Sequence, residues 1–162
     1  MNLSKLYMTF ASGSVAERLR KEPGVIAANG HETILLAEGE KSPFKSGKVF
    51  EIEEASGEFV KKGNILYANV PADENARSLL FHQLLTEKAP LGVSHDGFSA
   101  YRLGVDPDDN HAVVFIQFTS GGKHFRDTED YAILEDRLKR AVEQRGAGPV
   151  IKHYVVSESD NL

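Results

Sequence analysis

The two segments GFSAYRLGV (residues 97–105) and HAVVFIQFT (residues 111–119) decide the fold. In both, side chains of contrasting character alternate with a period of two, which predicts β-strands. The residues between them, Asp106 to Asn110, are turn formers, and Pro107 cannot join a central ladder. The sequence therefore predicts a β-hairpin over residues 97–119.

The second arm of this hairpin is apolar on both faces. Val114 and Ile116 point one way, while Val113 and Phe115 point the other. Exposing either face to water is unfavourable, so both must be covered. Helices elsewhere in the chain can cover one face, and the other requires a second sheet, a partner subunit or a flat apolar ligand.

The composition is that of a globular chain. It has 162 residues, of which 41% are hydrophobic and 27% charged, enough for one domain or two small packed ones. A net charge of -5 without a dense basic run argues against nucleic-acid binding. The absence of cysteine excludes disulfides and thiolate catalysis and fits a reducing compartment. No apolar run approaches the roughly 18 residues of a membrane span, and residues 1–8 lack a secretion signal, so a cytoplasmic location is expected.

The remaining elements follow from periodicity and punctuation. Ser14 to Glu17 form a capping box that opens a helix ended by Pro23 and Gly24, and a second helix starts at residues 71–73. A third helical region, residues 123–144, is interrupted near Thr128. Strands are expected at residues 5–10, 25–28, 32–37, 65–70 and 150–156, whereas 49–53 is a strand or a short helix, with the strand favoured.

The element order predicts an α+β fold. From residue 65 onward it is strand, helix, strand, strand, helix, strand, which is the ferredoxin-like arrangement with helices on one face of an antiparallel sheet. We divide the chain into a strand-rich N-terminal subdomain (residues 1–60), a ferredoxin-like domain (61–156) and an acidic tail (157–162). The N-terminal strands could extend the same sheet, and two bare sheets meeting in a two-fold homodimer would cover each other.

Three sequence segments carry a resemblance to a known family. They are NVPADEN at 69–75, GFSAYRL at 97–103, and SPF at 42–44 continuing through Glu51 to GEF at 57–59. In these the chain resembles the antibiotic-biosynthesis-monooxygenase superfamily of dimeric α+β barrels, in particular TRAP-type signal transduction proteins and Hmo-type haem-degrading monooxygenases. The likeness spans nearly the full chain and implies a dimeric α+β barrel.

The resemblance transfers only part of the haem-degrading site. Those relatives use an asparagine on the first strand of the barrel domain, a tryptophan in the second helical region and an iron-binding histidine further along it. Asn69 matches the asparagine, but the tryptophan position falls near Thr128 and the histidine position falls on or next to Arg137. Arginine offers no lone pair to iron. Haem would then use His124, the nearest histidine, or no protein ligand.

Two classes of function remain open at this point. In the first, haem or another flat apolar ligand lies between the bare sheet face and the second helical region, and the candidate ligand-binding residues are Asn69, Phe118, His124, Phe125 and Arg137. In the second, the chain is a non-enzymatic TRAP-like stress or regulatory protein whose barrel is filled by its own side chains. Asn69 also suits a strand-to-helix turn and His124 a solvated surface. The histidines lack the spacing of a zinc site, so no metal is predicted.

Overall fold

The computed structural model describes residues 5–142 and 148–157 and shows an α+β fold built on one antiparallel sheet. The strands are β1 (Lys5–Phe10), β2 (Ile26–Asn29), β3 (Thr33–Gly39), β4 (Lys48–Gly57), β5 (Asn64–Val70), β6 (Phe98–Asp106), β7 (His111–Phe118) and β8 (Val150–Val156). The helices are α1 (Gly13–Leu19), α2 (Glu74–Thr86), α3 (Gly122–Phe125) and α4 (Glu129–Ala141). The predicted fold class, hairpin and strands are confirmed, including β4, which is longer than expected. The predicted tail beyond Ser157 lies outside the described residues.

The helices begin near the residues predicted from the sequence, except for α1. Asp73 Oδ1 accepts the backbone N–H of Ala76 at the start of α2, and Thr128 Oγ1 accepts that of Tyr131 at the start of α4. The capping box predicted at Ser14 is wrong, because α1 begins at Gly13 with Ser12 at its N-cap and no side-chain cap hydrogen bond. The helix therefore begins two residues before Val15, the first helical residue of the predicted capping box, and Gly13 at its start has a positive φ of 60°.

The eight strands close into a barrel within a single chain, in the order β1-β3-β2-β8-β5-β7-β6-β4. β4 closes one seam by pairing with β1 and β6, and β2 closes the other by pairing with β8. The second face of β7 is therefore covered by the chain's own N-terminal strands, which extend the same sheet until it closes on itself. The covered face no longer requires a second subunit, and the homodimer stays a prediction, as does the subdomain boundary at residue 60.

The two apolar faces of β7 belong to two separate cores. Inside the barrel, Phe115 lies 4.8 Å from Tyr67 and 5.5 Å from Phe50 between ring centroids, and these rings fill the centre. On the outer face, Val114 and Ile116 pack with α2 and α4. Solvent reaches neither face of β7, since the side chains of Val113, Val114, Phe115 and Ile116 are all 0% exposed.

The barrel consists of two halves with the same topology. In residues 64–156 the strand order is β8-β5-β7-β6, and in residues 5–57 it is β4-β1-β3-β2, so each half has its fourth, first, third and second strands side by side. Helix α1 follows β1 as α2 follows β5. The third and fourth strands of the N-terminal half are joined by the loop of residues 40–47, whereas α3 and α4 lie at this point of the C-terminal half. Phe44 of the loop packs against the apolar cluster of Val25, Ala27, Leu35 and Ala37.

The segment that joins the halves, residues 58–62, crosses one end of the barrel, and we call it the strap. Gln117, which is fully buried, bonds the backbone of Val60 and Lys62 through its side-chain amide. Arg102 is 5% exposed and donates to both carboxylate oxygens of Glu38, at 2.6 and 3.1 Å, with its guanidinium 4.8 Å from the ring centre of Phe59. Two polar side chains facing into the barrel thus fasten the strap over its end.

Arg102→Met should destabilise the fold strongly, because it removes a nearly buried charge that Glu38 and three backbone carbonyls depend on. The expected loss in the free energy of unfolding is about 3 kcal/mol, measured by urea denaturation. Arg140→Met is the matched control, since the pair of Arg140 with Asp136 is solvent-exposed and should be worth less than about 1 kcal/mol. Equal losses in the two variants would contradict a role for Arg102 in fastening the strap.

Candidate functional site

Phe118 and Phe125, two of the residues singled out from the sequence, line the same cavity. The cavity has a volume of about 220 Å³ and lies between helix α3 on one side and the paired strands β5 and β8 on the other. We call it the α3 pocket. Their rings are 4.8 Å apart between centroids and almost completely buried. Leu66 and Asn64 of β5 continue the wall. The second helical region therefore covers an aromatic pocket on the helix-bearing side of the sheet.

Two glycines allow α3 to lie over this pocket. Gly121 has a left-handed φ of 72°, which turns the chain from β7 into the helix. A Cβ atom on Gly122 would lie 2.8 Å from the Cβ of Asn64, so only glycine permits this approach of α3 to β5. The Ser120-Gly121-Gly122 sequence is thus explained by packing.

His153 of β8 adds a polar group to the aromatic wall. Its Nε2 lies 3.2 Å from the hydroxyl of Tyr131, and the two rings are 5.9 Å apart. Burial, aided by the nearby guanidinium of Arg126, lowers the pKa of His153 to about 4. The imidazole is therefore neutral near pH 7, and its Nδ1 has no hydrogen-bond partner among the described residues.

The rim of the α3 pocket is positively charged. Lys123 and Arg126 both line it and are exposed. Aromatic walls, a neutral imidazole and two cations together suit a flat aromatic molecule that carries an anionic or hydrogen-bond-accepting group. The volume is below the roughly 300–1,000 Å³ of pockets that take drug-sized ligands, so a molecule as large as haem does not fit.

Asn69 does not belong to the α3 pocket. It lies at the other end of β5, where its Nδ2 donates to the Tyr67 hydroxyl at 3.2 Å and its Oδ1 is 2.7 Å from His111 Nδ1. Its side chain faces the barrel interior, on the opposite side of the sheet from Phe118. Asn69, which the resemblance matched to the site asparagine of the haem-degrading relatives, thus makes its contacts inside the barrel.

Arg137 and His124 also lie apart from the pocket. Arg137 lines a groove of about 630 Å³ between α2 and α4, and its Nη2 is 2.7 Å from Glu87 Oε1. His124 is exposed on the outside of α3. Thr128, near which the resemblance places the tryptophan of the haem-degrading relatives, caps α4 and bonds the carbonyl of Phe125. The structure thus brings Phe118 and Phe125 together and leaves Asn69, His124 and Arg137 at three other places.

Sequence reasoning missed His153 and Tyr131. The period of two along residues 150–156 places His153 on the face opposite Tyr154, but no local pattern shows that α4 returns over that face. Within residues 5–142 and 148–157, no group of three histidine or acidic side chains is placed to hold a metal ion, and no helix is long and apolar enough to cross a membrane.

Solved structures share this architecture over almost the whole chain. A major regulator of staphylococcal pathogenesis aligns with a TM-score of 0.76 at 14% identity, covering 94% of this chain and 98% of its own. A ferredoxin-fold protein from Listeria monocytogenes related to antibiotic biosynthesis monooxygenases aligns with a TM-score of 0.76 at 12% identity, covering 98% and 97%. The haem-degrading enzyme of Listeria monocytogenes aligns with a TM-score of 0.71 at 12% identity, covering 93% and 98%.

The chain has the fold of these three proteins. No family model and no curated protein matches it in sequence. Identities of 12–14% establish the architecture and leave the chemistry to the residues of the site. The α+β fold expected from the sequence resemblance is confirmed, and its dimeric state stays a prediction.

The depressed pKa of His153 predicts a pH-dependent stability. His153 binds a proton near pH 6.5 in the unfolded chain and near pH 4 in the folded chain. The contribution of its neutral form to the free energy of unfolding is therefore complete above pH 6.5 and is lost as the pH falls towards 4. In His153→Gln, urea denaturation between pH 4 and 7 should show a flatter dependence of the unfolding free energy. His124→Gln, which alters an exposed histidine, should follow the unmodified protein. The same slope in all three proteins would rule out a buried neutral His153.

Proposed function

We propose that this protein binds a small aromatic molecule with an acidic or phenolic group in the α3 pocket and does not degrade haem. The observation that carries the proposal is the pairing of two buried phenylalanine rings with a neutral histidine in one cavity. The rings supply apolar stacking surface. His153 Nδ1 and the rim cations Lys123 and Arg126 supply partners for the polar group of the ligand.

The residues present do not fit haem as in the relatives that degrade it. The resemblance places the iron-binding histidine on or next to Arg137, whose guanidinium offers no lone pair to iron and is paired with Glu87. The asparagine is bonded to Tyr67 and His111, and the chain contains no tryptophan. The sheet face beneath α4 is filled by Leu134 and Leu138, both 0% exposed.

Binding of naphthoate, a flat aromatic carboxylate, tests the proposed ligand class. Calorimetric titration should give saturable binding, and the double substitution Lys123→Glu, Arg126→Glu should weaken it by about tenfold or more, since each reversal replaces attraction by repulsion. Both side chains are exposed, so the variant should fold. Lys139→Glu, Arg140→Glu on α4 is the matched control with the same change in net charge. Equal affinities in the two variants, or no binding to the unmodified protein, would overturn the proposal.

Haemin is the probe for the alternative ligand. We expect no saturable shift of the Soret band that depends on His124 and no ring opening with ascorbate, because neither the α3 pocket nor Arg137 offers a fitting site. His124→Ala is the control spectrum. A saturable Soret shift that His124→Ala abolishes, or loss of the Soret band with ascorbate, would instead support haem chemistry.

The packed barrel favours a second candidate, a non-enzymatic regulatory protein of the TRAP type. Phe50, Tyr67 and Phe115 occupy the barrel centre, so a ligand of the α3 pocket lies outside the barrel. In that case the α3 pocket would hold an effector, and binding would proceed without turnover. Unchanged naphthoate recovered after long aerobic incubation with the protein would favour this candidate, whereas an oxygenated product would favour an enzyme.

A further inference from the structure

A separate cavity lies on the N-terminal half of the barrel, beside helix α1, and we call it the α1 pocket. It has a volume of about 300 Å³ and lies between the end of β1, helix α1 and the loop of residues 40–47. This volume is at the lower end of the roughly 300–1,000 Å³ of pockets that bind small ligands. The lining side chains on which the argument depends are Phe10, Val15, Arg18, Leu19, Phe44 and Lys45.

The difference between the two halves of the barrel explains why this pocket exists. In the C-terminal half, α2 packs beside α4. In the N-terminal half, the loop of residues 40–47 takes the place of that second helix, and the pocket lies between the loop and α1. Leu19 and Phe44, one from each side, both pack against the outer apolar cluster that contains Leu35. The pocket is therefore continuous with the outer core of this half.

The loop side of the α1 pocket is held in place by local contacts. The hydroxyl oxygen of Ser42 accepts the backbone N–H of Phe44 at 3.0 Å, which closes a turn that directs Phe44. At the end of the loop, a Cβ atom on Gly47 would overlap the carbonyl oxygen of Met8, so only glycine lets the loop lie this close to β1. Phe44 and Lys45 are thus carried by an ordered segment that is fixed at both of these points.

The α1 pocket exposes apolar surface to solvent. Val15 and Leu19 are four residues apart on α1 and share one face of the helix. Phe10 is 58% exposed and Val15 is 46% exposed. Single exposed apolar side chains are ordinary, but here two of them line one cavity. A ligand with an apolar part would remove this surface from water, which is favourable.

The charge of the α1 pocket is positive. Arg18 and Lys45 line it and are exposed, and neither has an ion-pair partner within residues 5–142 and 148–157. The lining contains no acidic side chain. Glu17, next to Arg18 in the sequence, is engaged by Arg20, with 2.8 Å between Oε2 and Nε. Two unpaired cations beside an apolar surface are complementary to a ligand that joins a carboxylate to an apolar chain.

We propose that the α1 pocket binds a free medium-chain fatty acid, whose carboxylate pairs with Arg18 and Lys45 and whose alkyl chain covers Phe10 and Val15. An alkyl chain suits this pocket better than a flat ring. Phe10 and Phe44 make no ring–ring contact in the described part of the chain, so the walls supply apolar area without the close ring pair of the α3 pocket. The site lies on the other half of the barrel, and its occupation does not depend on a ligand under α3.

Calorimetric titration of the full chain with octanoate tests this site. Binding should be saturable, and hexanoate should bind about tenfold more weakly, because each methylene withdrawn from the pocket costs about fourfold in affinity. Octanol, which has the same chain and no charge, should also bind at least about tenfold more weakly. The chain length and the head group thus test the apolar and the charged parts of the pocket separately.

Two variants with matched controls locate the binding. Arg18→Glu, Lys45→Glu and Phe10→Ser should each weaken octanoate by about tenfold, and all three side chains are exposed, so both variants should fold. Lys139→Glu, Arg140→Glu is the control with the same change in net charge. Leu79→Ser is the control for Phe10→Ser, because Leu79 is also 58% exposed and lies on α2.

The outcomes separate the α1 pocket from the other places where octanoate could bind. Loss of affinity in the Arg18 and Lys45 reversal and in Phe10→Ser, with both controls unchanged, supports the proposal. Equal binding of octanoate and octanol, or no saturable binding of octanoate, overturns it. A loss that occurs in Lys123→Glu, Arg126→Glu instead would place octanoate in the α3 pocket and overturn it as well. Binding to phosphatidylglycerol vesicles without binding of free octanoate would show a membrane surface as the partner and would also overturn it.

Discussion

The structure depends on the need to bury both faces of β7. A strand with Val114 and Ile116 on one side and Val113 and Phe115 on the other cannot lie at a surface, and the chain meets this need with helices outside and a second set of strands inside. The aromatic rings of Phe50, Tyr67 and Phe115 then fill the space enclosed by the strands. Because the barrel centre is filled, a ligand site must lie on the outer face of the sheet or at an end of the barrel.

The repeated topology of the two halves explains where the places for ligands lie. The C-terminal half keeps both of its helical connections, and the α3 pocket forms where the second of them leaves β7 and covers β5 and β8. In the N-terminal half a loop containing Phe44 replaces that connection. The barrel ends differ as well, because Arg102 and Gln117 hold the strap over one end, whereas Asn69 bonds Tyr67 and His111 at the other.

Most of the fold could be predicted from local sequence, because strand periodicity, turn residues and helix caps act over a few residues. The hairpin of β6 and β7 and the break at Thr128 are examples. Barrel closure could not, since the pairing of β4 with β6 joins Glu51 to Val105 across a long stretch of chain. For the site, the aromatic character of Phe118 and Phe125 pointed to the pocket, whereas the partnership of His153 with Tyr131 depends on the packing of α4. Asn69 was identified from a resemblance, and its actual partners, Tyr67 and His111, depend on which face of β5 it occupies.

Closure of the barrel also limits how copies of this chain can associate. Each of the eight strands has a hydrogen-bonded neighbour on both sides, so a strand from another molecule can add only where a seam is short. The seam between β2 and β8 is of that kind, because it pairs only Ala28 with Val156 and Asn29 with Val155. Along the well-paired seams, edge-to-edge growth of the kind that leads to fibrils would first require the barrel to open.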